Sequence, residues 1–294
     1  MPEKDYTQDL REAMASMMYG VEDEDRDIRR IRKDLREAAK NLPESQVRYF
    51  VDVYYQRQNA RIRAFNQLRA AIEAKEETLV LEYEATRMKV EEDTVKAMMD
   101  AYSKSKPLGE WLRSICGIGP VIAAGLMAHI DITKAATAGA IQRFAGLDPT
   151  LEWGKGQKRP YNAELKTLCV YKLGESFVKV QNNAKDVYGK LFAEHKAMEQ
   201  EKNERGEMAE TAKEKLEKFK IGKDTEAYKW YSQGKLPPAH IHARARRYAV
   251  KIFLSHFFEV AYELHYGKRP PEPYAIAILQ HAHKIDVPNW THIA

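Results

Sequence analysis

The residues best suited to chemistry in this chain form the run Cys116-Gly117-Ile118-Gly119-Pro120, followed by the small and apolar Val121-Ile122-Ala123-Ala124-Gly125-Leu126. Two glycines around an apolar residue let a backbone turn tightly and approach a partner without side-chain obstruction. Ile118 can plug the angle between two helices, and Pro120 suits the first position of the second. The unpaired amides at such a helix start, helped by the helix dipole, can hydrogen-bond a phosphate oxygen. The pattern predicts a helix-hairpin-helix that grips a DNA backbone without reading its sequence, the alternative being an ordinary glycine turn between core helices. Gly117, Ile118, Gly119 and Val121 are the expected backbone contacts.

Two basic groups extend the expected footprint. The segment Trp153-Gly154-Lys155-Gly156-Gln157-Lys158-Arg159-Pro160 reads as a flexible loop whose Lys155, Lys158 and Arg159 can track phosphates, or else as a plain solvated surface loop. Arg244, Arg247 and Lys251 follow one another at three and four residues, which puts them on one helical face. That face is either a second footprint or a set of long stems covering apolar surface. Other chemistry has no foothold. There is no Gly-x-x-x-x-Gly-Lys-Ser/Thr phosphate loop, no Gly-x-Ser-x-Gly elbow and no His-Glu-x-x-His helix. The pairs His240/His242 and His281/His283 are spaced by two, which on a helix points the rings apart. No catalytic residue, metal site or cofactor is expected.

The elements that must position these residues are helices, and the fold class expected is all-α. The segment from Asp23 to Lys40 interleaves acidic and basic residues, as an exposed helix does. From Pro43 to Pro107 no proline or glycine intervenes, and apolar residues recur at Val47, Val51, Tyr54, Ile62, Phe65, Leu68, Ile72, Leu79 and Tyr83. This is one long helix or a hairpin of two, coiled-coil-like, with Arg57, Arg61, Arg63 and Arg69 as solvated flanks. Residues 1–106 are therefore assigned to long charged helices and 107–181 to the hairpin domain. Residues 182–235, rich in charge and poor in large apolar side chains, read as an inserted helical arm. Residues 236–294 complete the domain, through a buried helix ending at Gly267 and a short helix near Tyr274 to Lys284.

Composition agrees with this frame. The chain has 294 residues, of which 31% are charged and 44% apolar, so it can bury a core and is not compositionally disordered. It contains no apolar run long enough for a membrane helix and no secretory leader in its first residues, so a cytoplasmic location is expected. Cys116 and Cys169 lack both disulfide and zinc spacing. A net charge of +5 permits nucleic acid without implying it.

The hairpin, the Ala145-Gly146-Leu147-Asp148-Pro149 turn and the Ala243-Arg244-Ala245-Arg246-Arg247 helix together resemble the C-terminal domain of insertion-sequence transposases related to the Piv DNA invertases. The likeness covers about Trp111 to Lys179 and resumes at about His240 to Gly267. It implies a domain that in the family follows a RuvC-like nuclease with a DEDD carboxylate set and a coiled coil, and carries a nucleophilic serine; some members are guided by RNA. Here Trp153-Gly154 stands where the family has Ser-Gly, and Tyr161 and Lys166 replace glycine and arginine in a Gly-Asn-x-x-Leu-Arg element otherwise kept at Asn162 and Leu165. Ser114 precedes the hairpin and Ser176 lies beyond the matching turn, and no strand-borne carboxylate set is present. The expectation is a transposase-derived, non-catalytic protein that binds duplex or branched DNA, with RNA also open, and forms a homo-oligomer through its N-terminal helices. Two other readings stay open: a recombinase using another nucleophile or a nuclease in trans, and a protein-binding inhibitor or accessory protein of a phage or mobile element.

Overall fold

The computed structural model describes residues 32–271 and 285–292, and among these every regular element is helical. The acidic residues from Glu22 to Asp27 and the expected helix near Tyr274 to Lys284 lie outside the described residues. The described chain clusters into two units. One takes the residues up to Glu110 together with Ala123–His129; the other takes Trp111–Ile122 and the residues from Ile130 on.

In the first unit, residues 32–39 are helical and lead to Pro43, after which α1 (Glu44–Ala74) and α2 (Leu79–Lys104) pair as a hairpin. The alternative of one long helix is thus settled in favour of two. The break falls at Lys75, which takes a left-handed conformation (φ 59°) and donates its amide back to Ile72. Val47, Val51, Tyr54, Leu68 and Ala71 form the buried stripe of α1, matched by Ala85, Val95, Met98, Met99 and Tyr102 on α2. The stripe is incomplete: Ile62, Leu79 and Tyr83, expected inside, are exposed. Arg57, Arg63 and Arg69 are exposed as solvated flanks are, although Arg57 also pairs with Glu91; Arg61 differs, reaching across the hairpin to buried Glu92. Burial of Tyr54, together with the neighbouring Glu92 charge, pushes its hydroxyl up to about 12.

Helix α3 (Pro107–Ser114) and α4 (Pro120–His129) each pass from one unit to the other. Beyond them come α5 (Ala138–Phe144), α6 (Ala163–Thr167), a π-helical segment (Leu168–Leu173) and α7 (Gly174–Val180). Next are α8 (Tyr188–Glu204), α9 (Ala209–Lys218), α10 (Glu226–Ser232) and α11 (Pro238–Tyr266). Local chemistry sets several of the starts. Thr137 accepts from Ala140 N, Asn162 from Leu165 N and Thr225 from Tyr228 N, each satisfying an amide that the helix cannot. Pro238 opens α11 and Gly267, at φ 65°, closes it where expected.

The second unit is built on α11, whose Ile241, Ala245, Ala249, Phe253, Phe257 and Val260 are buried at helical spacing. Phe253 is its aromatic centre: it stacks on Trp111 (centroids 6.1 Å apart, planes at 6°) and meets Phe177 and Tyr188 edge-on. Helix α8 packs along α11 with Tyr188 and Phe192 buried, so the arm expected over residues 182–235 begins with a core helix. Only α9 and α10 stand apart, on a small cluster of Met208, Ala212, Leu236 and Ile241. The Asn203 amide closes that excursion, donating to Leu236 O at 3.0 Å and accepting from Leu236 N at 2.7 Å. Residues 285–292 strap the unit: Ile285 O meets His256 Nε2 at 2.9 Å, Pro288 O accepts from Trp111 Nε1 at 2.9 Å, and Trp290 Nε1 donates to buried Glu263 at 3.0 Å.

Candidate nucleic-acid interface

The segment Ile115 to Gly119 is a tight turn between α3 and α4, held by Ile115 N to Leu112 O (3.2 Å) and Ile118 N to Ile115 O (3.1 Å). Gly117 has φ 88°, a conformation that side-chain-bearing residues rarely adopt. Ile118 is only 3% exposed, so it fills the space beneath the turn as its type requires. Side chains take two of the turn's carbonyls and one just before it: Ser176 Oγ donates to Gly117 O, Arg113 Nη1 to Ile118 O at 2.8 Å, and Asn289 Nδ2 to Ser114 O at 3.0 Å. The donors are left differently. Pro120 is the first residue of α4, so the amides of Val121 and Ile122 have no acceptor within the helix. Around Gly119 a Cβ would meet nothing within 4 Å, so this side of the turn is open. The Val121 side chain is buried, and only its backbone is suited to contact.

The turn after α5 leads into the basic loop. Asp148 takes the Thr150 amide at 2.9 Å and pairs with Arg143 at 3.2 Å, while Asn162 N donates to Phe144 O at 2.9 Å and fixes the far end. The Thr150 hydroxyl and amide together hold the Asp148 carboxyl below the usual range. Between these anchors Lys155, Lys158 and Arg159 are exposed, and among the described residues none of them forms an ion pair. Trp153 is 44% exposed and meets Tyr161 edge-on at 5.3 Å, and Lys166 Nζ lies 4.3 Å from the Tyr161 ring centre. The loop therefore presents one exposed aromatic side chain, Trp153, beside its cations. In the sequence Trp153 opens the basic loop and Tyr161 and Lys166 stand out only as departures from a pattern; the aromatic–cation–aromatic spacing is the signal that marks them.

The third group does not act as one surface. Arg244 is engaged by buried Glu199 in a bidentate pair with Nε and Nη2. Burial alone would raise the Glu199 carboxyl, but the Arg244 hydrogen bond and charge, with His195 and Lys202, outweigh it and hold it low. Arg246, between the expected contacts, pairs with Glu175. Arg247 and Lys251 are half-buried, and burial is the main cause holding both below their ordinary values. Lys251 lies beside the loop's root: its carbonyl accepts from Gln142 Nε2 at 3.2 Å, and the Asp148 charge acts on its ammonium. Arg247 instead lines a separate cleft.

The serines are likewise placed by the structure. Ser114 Oγ donates to Trp111 O at 2.7 Å, and Ser176 is bound to the hairpin turn. Among the described residues no group of His, Cys, Asp and Glu gathers to hold a metal ion. His240 contacts the Tyr231 hydroxyl and His242 meets the Phe192 ring, so each has its own neighbour.

The sequence model of the Transposase IS116/IS110/IS902 family matches residues 109–160. That window runs from α3 through the hairpin turn and α5 to the end of the basic loop. This stretch of the chain is thus related in sequence to transposases of that family. No curated protein sequence and no solved structure matches it. No described helix is long and apolar enough to cross a membrane.

Proposed function

We propose that this transposase-derived chain binds the backbone of duplex or branched DNA without cutting it. The hairpin amides at Val121 and Ile122, the open turn at Gly119, and the loop cations Lys155, Lys158 and Arg159 make the contacts. The observation that carries the reading is the loop: three exposed cations without ion pairs, rooted at both ends, inside the window that matches a transposase family. Lys251 adds charge at the loop's root, whereas Arg244 serves the core. The non-catalytic assignment rests on Trp153-Gly154 at the position of the resembling family's Ser-Gly pair, and on the engagement of Ser114 and Ser176 by backbone carbonyls.

The test is binding of duplex, branched and single-stranded DNA across a salt series, with Lys155, Lys158 and Arg159 replaced together by alanine. Each lost phosphate contact lowers the salt slope by about 0.9 on duplex. A slope reduced by about 2 to 3 is expected, and absence of duplex binding at low salt would overturn the reading. Cleavage assayed with magnesium in parallel distinguishes a recombinase.

Self-association is proposed through the first unit, where Leu79, Val80 and Tyr83 are exposed in the first two turns of α2. Large apolar side chains grouped on a surface mark an association site. A second copy of the chain is the occupant proposed, and Val80→Asp with Tyr83→Asp is expected to yield monomer by light scattering. Unchanged mass in that variant, or a monomeric native chain, would refute it.

A further inference from the structure

The second unit contains a cleft that the DNA-backbone reading does not use. It opens between α9, α10 and the first turns of α11, has a volume of about 540 Å³, and is lined in part by Lys215, Phe219, Tyr231, Pro237, His240 and Arg247. Small-molecule sites span roughly 300–1,000 Å³, so the space suits one ligand of modest size.

The lining has a definite chemistry. It includes no acidic residue. Among the described residues the Arg247 guanidinium has neither a hydrogen bond nor an ion pair, although it is half-buried. Its neighbours Arg244 and Arg246 form ion pairs with Glu199 and Glu175, so Arg247 is the cation of that run without one. A partly desolvated cation without a counter-charge is costly, and a bound anion relieves that cost. Lys215, also without an ion pair, holds its Nζ 4.9 Å from the Phe219 ring centre, and that ring is 55% exposed. Across from them Tyr231 Oη and His240 Nδ1 lie 3.0 Å apart. Burial, followed by the charges of Lys215, Arg244 and Arg247, pushes the His240 imidazole down to about 4, so it is an uncharged partner near neutrality.

An exposed aromatic face beside unpaired cations is the arrangement that stacks a base and binds its phosphate. We propose that this cleft binds a nucleoside monophosphate unit, the phosphate on Arg247 and Lys215 and the base against Phe219. The unit is either a free nucleotide or one nucleotide of a single strand. The site is independent of the hairpin and its loop.

The test is calorimetric titration of the full chain with dAMP, deoxyadenosine, inorganic phosphate and a single-stranded eight-mer of deoxyadenylate. dAMP is expected to bind at least tenfold more tightly than deoxyadenosine or phosphate. Phe219→Ala and Arg247→Met should each weaken it fivefold or more, and alanine at Lys155, Lys158 and Arg159 should leave it unchanged. If Arg247→Met does not fold, Lys215→Ala joins the exposed Phe219→Ala in carrying the test. Binding of the eight-mer alone, weakened by Phe219→Ala, identifies a single strand as the source. The proposal is overturned if no probe binds, if phosphate binds as well as dAMP, or if binding ignores Phe219→Ala and Lys215→Ala. Because the loop variant is read on duplex and the cleft variants on dAMP, failure of one reading leaves the other measurable.

Discussion

The Ser176 hydroxyl, on α7, donates a 2.5 Å hydrogen bond to the carbonyl of Gly117, 59 residues earlier in the chain. The turn that presents the hairpin amides is therefore held from outside as well as by its own glycines. Ser176→Ala removes the donor and leaves that carbonyl without it, at a cost of about 1 kcal/mol in chemical denaturation. Duplex binding should weaken along with it, since the amide geometry then depends on a looser turn.

Gly117 and Gly119 are expected to respond in opposite ways to the same substitution. At Gly117 alanine meets both a left-handed backbone and Val180 Cγ2 at 3.2 Å, so Gly117→Ala should destabilise by about 1–2 kcal/mol. At Gly119 a methyl group meets nothing within 4 Å. Gly119→Ala should leave the melting temperature nearly unchanged while reducing duplex affinity, because the methyl occupies the side a phosphate approaches. Unchanged affinity for Gly119→Ala would place the DNA elsewhere.

Arg244 faces the interior, which separates it from the loop cations. Arg244→Met takes from the buried Glu199 carboxylate its bidentate partner and leaves it only His195 and Lys202 nearby, and losing one member of a buried pair costs about 3–5 kcal/mol. The Arg244 side chain is 35% exposed, so the lower end, about 3 kcal/mol, is expected in urea unfolding. Adding Glu199→Gln should recover part of that loss, a coupling a DNA contact would not show.

His240 gives the fold an acid sensitivity with a definite sign. Its folded value of about 4 lies below the ordinary value of 6.5, through burial first and then the charges of Lys215, Arg244 and Arg247, with Glu199 opposing. The unfolded chain thus takes up this proton first as pH falls. Stability from this group is complete above about 6.5 and declines down to about 4. His240→Gln should flatten the melting temperature against pH in that window, and an unchanged slope would contradict the assignment.

What the sequence reveals of this protein is its local chemistry. The hairpin turn, the stop at Gly267 and the break ending at Pro43 are legible because a glycine or proline dictates the backbone where it stands. The turn at Lys75 is not, since a lysine carries no such signal. The burial of helix α8 is hidden in the sequence because its inner face ends in Glu199 and Asn203, polar residues made acceptable by Arg244 and Leu236 from distant sequence. The same long-range pairing removes Arg244 from the basic stripe, where spacing alone placed it beside Arg247 and Lys251. The cleft of Lys215, Phe219 and Arg247 joins residues from two helices and the segment that follows one of them, and no single segment announces it.

The window that resembles transposases is not a portable cassette. Its Ala123–His129 portion clusters with the N-terminal helices, as the Arg48 bond to Ala128 O at 2.6 Å illustrates, while Gln142 of α5 is held by α11. Excised at its own edges, the window would lose the covering of both α4 and α5, so a fragment of residues 109–160 should not fold. Any exchange of this region between proteins has to bring α1, α2 and α11 along, and the boundaries drawn by sequence likeness are not the boundaries of the smallest heritable structure.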